Sequence, residues 1–244
     1  MSFSKRTPCT GEIRGIRLII EACQQHKIDY TKYCVELFES YYDEKKCVCV
    51  AIYKKYDIDL FNYITKNNLT IQIKENIIME LSKLYFFLES INLVHYDIKS
   101  ENIVVEKLKN GMLRLRLIDF EAIVESGKRF EPHTFKSKTT ILHPDIVKDL
   151  LYDRSIETST YHMEFSINII IKIMTDPHND FINKYHNIIN RKNSHNIKYI
   201  LSEINKLYNE LYKIQSDEDE ALLQLCSFVY KEYKTSVDEI DMID

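Results

Sequence analysis

The stretch INLVHYDIKSENIVVEKLKNGMLRLRLIDFEAI, residues 91–123, constrains the fold more than any other part of the chain. It reads as loop, strand, turn, strand and loop. Asn110-Gly111 supplies a type I′ turn between IVVEKL and MLRLRLI. A hairpin brings its two ends together, so HYDIKSEN at its entrance and IDFE at its exit fall close in space. Asp97 and Asn102 before the hairpin can then meet Asp119 after it.

The flanking segments suggest a small mixed region followed by helices. Residues 11–27 read as a helix, with Ile13, Ile16, Ile20 and Cys23 at helical spacing. Segments 33–40 and 46–53 read as strands around a YYDEK turn, and KKYDIDLFNYI runs into a short helix. Residues 71–90 form an amphipathic helix through Ile77, Leu81, Leu84 and Leu88. Residues 161–174 read as a buried helix, and 196–214, 218–230 and 235–243 as three more. The fold class expected is α+β.

Composition narrows the partners. A net charge of −4 over 244 residues gives no global basic field for nucleic acid or an anionic membrane. No apolar run reaches membrane-spanning length, and MSFSKRTPCTG has no apolar core of a signal peptide. The six cysteines form no CxxC pair, and the histidines no metal-ligand spacing, so no structural metal is expected. Cys47 and Cys49 are expected on one face of a strand, unbridged, with all thiols reduced in a cytoplasmic compartment.

The polar residues at the hairpin's ends suit phosphoryl transfer from ATP. That reaction needs a carboxylate to orient the nucleophile, hard oxygen ligands for magnesium, and positive charge on the moving phosphate. Asp97 fits the first role, Asn102 and Asp119 the second, and Lys99 the third. The string HYDIKSEN resembles the catalytic loop H-R-D-L-K-x-x-N of eukaryotic-type protein kinases, and Asp119-Phe120-Glu121 stands where their D-F-G follows. His143-Pro144-Asp145 resembles their A-P-E, and KTSVDEI a late motif whose basic residue is matched by Lys234. The resemblance spans residues 12 to 243 and implies a bilobal kinase-like fold. It has a shortened N-lobe (1–53) lacking the Gly-rich loop, a hinge at 54–58, and a mostly helical C-lobe (59–244). Ile52, Tyr53 and Lys54 would contribute to the edge against which adenine packs. Lys5 would be the ATP-binding lysine and Glu21 its helix partner. Asp145 and Lys234 would keep the family's buried ion pair with both side chains changed.

Several positions depart from the family. Glu121 replaces glycine, Tyr96 replaces the arginine that meets a phosphorylated activation segment, and Met163 stands where an anchoring aspartate is usual. His95 reads as structural, while Thr139 or Thr140 could line the substrate hydroxyl site. The expected activity is Ser/Thr protein phosphorylation with ATP and Mg²⁺, Lys99 favouring Ser/Thr over Tyr. The alternatives are a pseudokinase that binds a partner kinase or signalling protein, and a choline- or aminoglycoside-like small-molecule kinase. Compact chains of this composition look like products of large DNA viruses such as poxviruses, which would place the protein in host cytoplasm.

Overall fold

The structure is a computed structural model that describes residues 2–7, 11–130, 141–176, 180–190 and 197–211. The chain opens with β1 (Ser2–Thr7), α1 (Glu12–Gln25), a 3-10 turn at Tyr30–Lys32, β2 (Leu37–Asp43) and β3 (Val48–Lys54). Next come β4 (Ile58–Asp59), α2 (Leu60–Lys66), α3 (Ile71–Ser90), β5 (Leu93–His95), β6 (Ile103–Lys107) and β7 (Leu113–Leu117). Then follow β8 (Ile123–Glu125), β9 (Arg129–Phe130), α4 (Pro144–Leu151), β10 (Ile156–Glu157), α5 (Tyr161–Thr175), α6 (Phe181–Asn190) and α7 (Ile197–Leu211). The architecture is mixed α+β with small antiparallel sheets, ordered β1-β3-β2 and β4-β6-β7, with further pairs β5-β8 and β9-β10.

Strand β1 is an element that periodicity did not predict. It pairs antiparallel with β3, with Lys5 opposite Ala51. The strand expected over 33–40 begins later. Asp29 caps the 3-10 turn through Thr31 N at 3.1 Å. Tyr33 and Cys34 then pair with Leu117 of β7 rather than with β3.

The hairpin forms in the register Ile103↔Leu117 to Lys107↔Leu113, but its turn differs from the expected type I′. Leu108 N donates to Met112 O at 2.8 Å, leaving Lys109, Asn110 and Gly111 as a three-residue loop. Gly111 alone of the three has positive φ, at +83°, whereas type I′ needs it at both central residues. Asn110 instead uses its side chain, accepting from Met112 N at 3.1 Å.

The cysteine reading also needs correction. Cys47 lies in the turn before β3 at φ +50° with an exposed side chain, so it does not share a strand face with Cys49. The two are unbridged to each other, since Cys47 is free. Cys49 itself is disulfide-bonded. The expectation that all thiols are reduced is therefore corrected at Cys49, while Cys23, Cys34 and Cys47 are free. Among the described residues no helix is long and apolar enough to cross a membrane.

Helix α3 is the central beam of the core: Ile77, Ile78, Leu81 and Leu88 are fully buried. Its Glu80 accepts from Leu115 N at 3.2 Å, which ties the hairpin to the helix. Helix α5 is buried almost all round, as its composition predicts. The helices expected over 218–230 and 235–243 lie outside the described residues, as do Lys234, Thr139 and Thr140.

Candidate active site

Asp97 sits in the loop between β5 and a 3-10 turn at Ser100–Asn102 and is buried at 7% exposure. Three groups hold it. Asn102 Nδ2 donates to Asp97 Oδ2 at 2.9 Å and to its backbone carbonyl at 2.9 Å. Lys99 Nζ lies 2.9 Å from Oδ2 and 3.2 Å from Oδ1. His95 Nδ1 accepts from Asp97 N at 3.1 Å. Such a carboxylate is fixed in direction, as a proton acceptor at a reacting centre must be.

His95 is structural, as expected. It is buried, and burial lowers its pKa below the ordinary imidazole value against the pull of Asp97 and Asp119. With Nδ1 accepting from Asp97 N, the proton of the neutral ring sits on Nε2. That atom is buried beside the Ile118 backbone without an aligned hydrogen bond. His95 N donates to Met163 Sδ at 3.3 Å. The methionine at the anchoring position therefore does underpin the loop, with a soft and weak acceptor.

The far end of the hairpin returns to the same place. Ile118 N donates to Asn102 O at 2.9 Å, so Asp119 follows directly beside the loop. Asp119 adopts φ +64°, ψ +75°, a left-handed conformation that aspartate tolerates and that concentrates at functional sites. His95 responds electrostatically to Asp97, Asp119 and Lys99.

The carboxylate of α1 that reaches this region is Glu12, not Glu21. Glu21 lies on the exposed face of α1. Glu12 is buried at 1% exposure, and its Oε2 accepts from Phe120 N at 2.8 Å. Its Oε1 accepts from the Tyr53 hydroxyl at 2.7 Å. The sequence signal for this was Gly11 and Gly15, four apart on one helical face. A Cβ at Gly15 would stand 1.7 Å from Phe120 O, and one at Gly11 would stand 2.9 Å from Glu121 Cβ. Only glycines let the first turn of α1 lie on the 120–121 backbone.

A cleft of about 400 Å³ opens next to the loop, within the range of small-molecule sites. Residues 55–59 wall one side, with Asn62 and Lys66 of α2, while Val104 and Ile118 of the hairpin form the floor. Glu101, neighbour of Asn102, also lines it, whereas Asp97, Lys99, Asn102 and Asp119 do not. Its wall starts at Lys55, three residues beyond the expected Ile52, because Ile52, Tyr53 and Lys54 do not line it. β3 stays regular through Lys54, whose N donates to Glu36 O at 2.9 Å. Tyr53 turns inward to Glu12 and Phe120, and Lys54 Nζ lies 3.9 Å from Glu106. Ile52 is half-buried in mid-strand, opposite Ser4 and Glu39. Lys5 lies on β1 across from Ala51.

Asn102 and Asp119 offer oxygen atoms of the kind that magnesium takes. Among the described residues no group of three or more His, Cys, Asp or Glu can hold a metal ion. Magnesium is ordinarily held by one or two protein oxygens, with waters and substrate phosphates completing the shell. Asn102 turns its amide nitrogen to Asp97, so its amide oxygen is the end presented elsewhere. Asp119 beside it supplies a carboxylate.

Downstream, His143 caps α4 by accepting from Asp145 N at 3.2 Å. The Asp145 side chain is 65% exposed and faces Tyr161 and His143. No protein-family model and no curated protein matches the chain.

Proposed function

We propose that this chain is a protein-kinase-like phosphotransferase that moves the ATP γ-phosphate to a protein serine or threonine hydroxyl. The observation that carries the reading is the fixed carboxylate of Asp97, held by Asn102 and Lys99 where the two ends of the hairpin meet. In this reading Asp97 orients the acceptor hydroxyl and takes its proton. Lys99 already bridges to Asp97 and neutralises charge on the phosphoryl group in transit. Asn102 and Asp119 would hold magnesium, which draws charge from the phosphates when bound. The cleft takes the nucleotide, with residues 55–59 as the hinge between a small β1–β3 lobe and a mostly helical lobe. Glu12 takes the structural place the resemblance gave to Glu21, by fixing the backbone after Asp119.

The test is transfer of labelled γ-phosphate from ATP and Mg²⁺ to protein acceptors carrying serine or threonine. Wild type is expected to label them, and Asp119→Asn to label them at least a hundredfold more slowly. Labelling of choline or an aminoglycoside but not of protein would move the assignment to a small-molecule kinase. Absence of any transfer, with a thermal shift on adding Mg²⁺ and ATP, would favour a nucleotide-binding module that controls a partner.

A further inference from the structure

A chain of neutral aromatic and histidine side chains runs from the Asp97 loop to the start of α4. Tyr96, adjacent to Asp97, is buried at 4% exposure. Its hydroxyl accepts from Ser159 N at 3.3 Å and faces His162 Nδ1 at 3.3 Å. The hydroxyl and Nδ1 share a hydrogen bond whose donor is set by the imidazole tautomer, and either arrangement ties Tyr96 to α5. His162 packs on His143 with ring centroids 5.4 Å apart. His143 in turn touches the Tyr161 hydroxyl, which donates to Asp145 Oδ2 at 3.2 Å. Phe165 and Tyr208 pack edge-on against His143 and close the cluster from α5 and α7.

Burial holds the Tyr96 hydroxyl protonated, well above the ordinary phenol value. A neutral phenol offers no positive charge to a phosphate, unlike an arginine. What it offers is a fixed tie to α5, one residue away from the carboxylate that must be aimed.

We propose that His162 and Tyr96 are positioning residues of the phosphotransfer site, aligning Asp97 through the Tyr96 hydroxyl between Ser159 N and His162 Nδ1. The inference rests on the reading of Asp97 as the proton acceptor. On this view the loop is aligned by built-in neutral contacts rather than by a phosphorylated segment. Neither side chain is a catalytic residue, since both act through the backbone that carries Asp97.

The test has two readouts on the full chain. One is steady-state transfer with Mg²⁺ and ATP; the other is amide hydrogen exchange of the peptide spanning residues 95–102, which needs no activity. Tyr96→Phe and His162→Leu are expected to lower kcat roughly three- to tenfold, the scale of one hydrogen bond. The KM for ATP should stay within twofold, and both variants should speed exchange in 95–102 but not in α3. His162→Asn, whose amide group can stand in for Nδ1 as donor or acceptor, should recover most of the loss. Wild-type kcat and exchange in His162→Leu would overturn the proposal. So would His162→Asn performing no better than His162→Leu. Should His162→Leu fail to fold, Tyr96→Phe, which removes one oxygen, decides by the same two readouts. Should wild type transfer no phosphate, the functional reading falls, and the exchange data alone decide whether this tie holds the loop.

Discussion

Asn102 directs one amide nitrogen to two oxygens of Asp97, and the same residue's carbonyl accepts from Ile118 N. Truncating that side chain should therefore loosen the carboxylate while leaving the backbone tie in place. Asn102→Ala is expected to cost about 1.5–3 kcal/mol, the range for hydrogen bonds to charged groups. Urea unfolding should show the cost as a lower midpoint with an unchanged slope. Glu12 gives a second case. Tyr53→Phe removes the 2.7 Å donor to Oε1 and leaves a carboxylate at 1% exposure with one donor fewer. The same range of destabilisation is expected, whereas removal of the exposed Glu21 by Glu21→Ala should stay within about 0.5 kcal/mol.

At the scale of elements, the contact between α1 and the backbone after Asp119 is the one most sensitive to volume. A Cβ at Gly15 would meet a backbone oxygen at 1.7 Å, which no side-chain rotation relieves, while one at Gly11 meets a side chain at 2.9 Å. Gly15→Ala is expected to destabilise by about 1–3 kcal/mol, and clearly more than Gly11→Ala, in thermal melts of the two variants. The hairpin and its polar ends were legible in the sequence because strand alternation, a Gly-containing turn and closely spaced Asp, Lys and Asn are all local signals. The cleft wall was legible only approximately. Whether β3 ends at Lys54 or one residue sooner depends on a backbone bond to Glu36, which no local pattern encodes. β1 was missed because a short polar strand acquires its structure from pairing with β3. Glu12 was passed over for Glu21 because spacing places both on the helix, while only the glycines beside Glu12 reveal which end is pressed against Phe120.

At the scale of the whole molecule, acid should destabilise the fold through histidines buried as neutral rings. His162 is lowered to about 4 by burial first and then by His143, and burial also lowers His143 and His95 below the ordinary value near 6.5. The unfolded chain takes up these protons below about pH 6.5, while folded His162 resists them until about pH 4. Stability is thus held above pH 6.5 and lost as pH falls through that window. The melting temperature should drop steadily between the two, and His162→Asn should flatten part of the slope. The central claim concerns chemistry at Asp97, and it is tested most directly by single-turnover phosphate transfer at saturating Mg²⁺ and ATP, wild type against Asp97→Asn. The account predicts a rate lower by a factor on the order of 10²–10⁴ in the variant, with the same nucleotide-induced rise in melting temperature in both proteins. Equal rates in wild type and Asp97→Asn would contradict it.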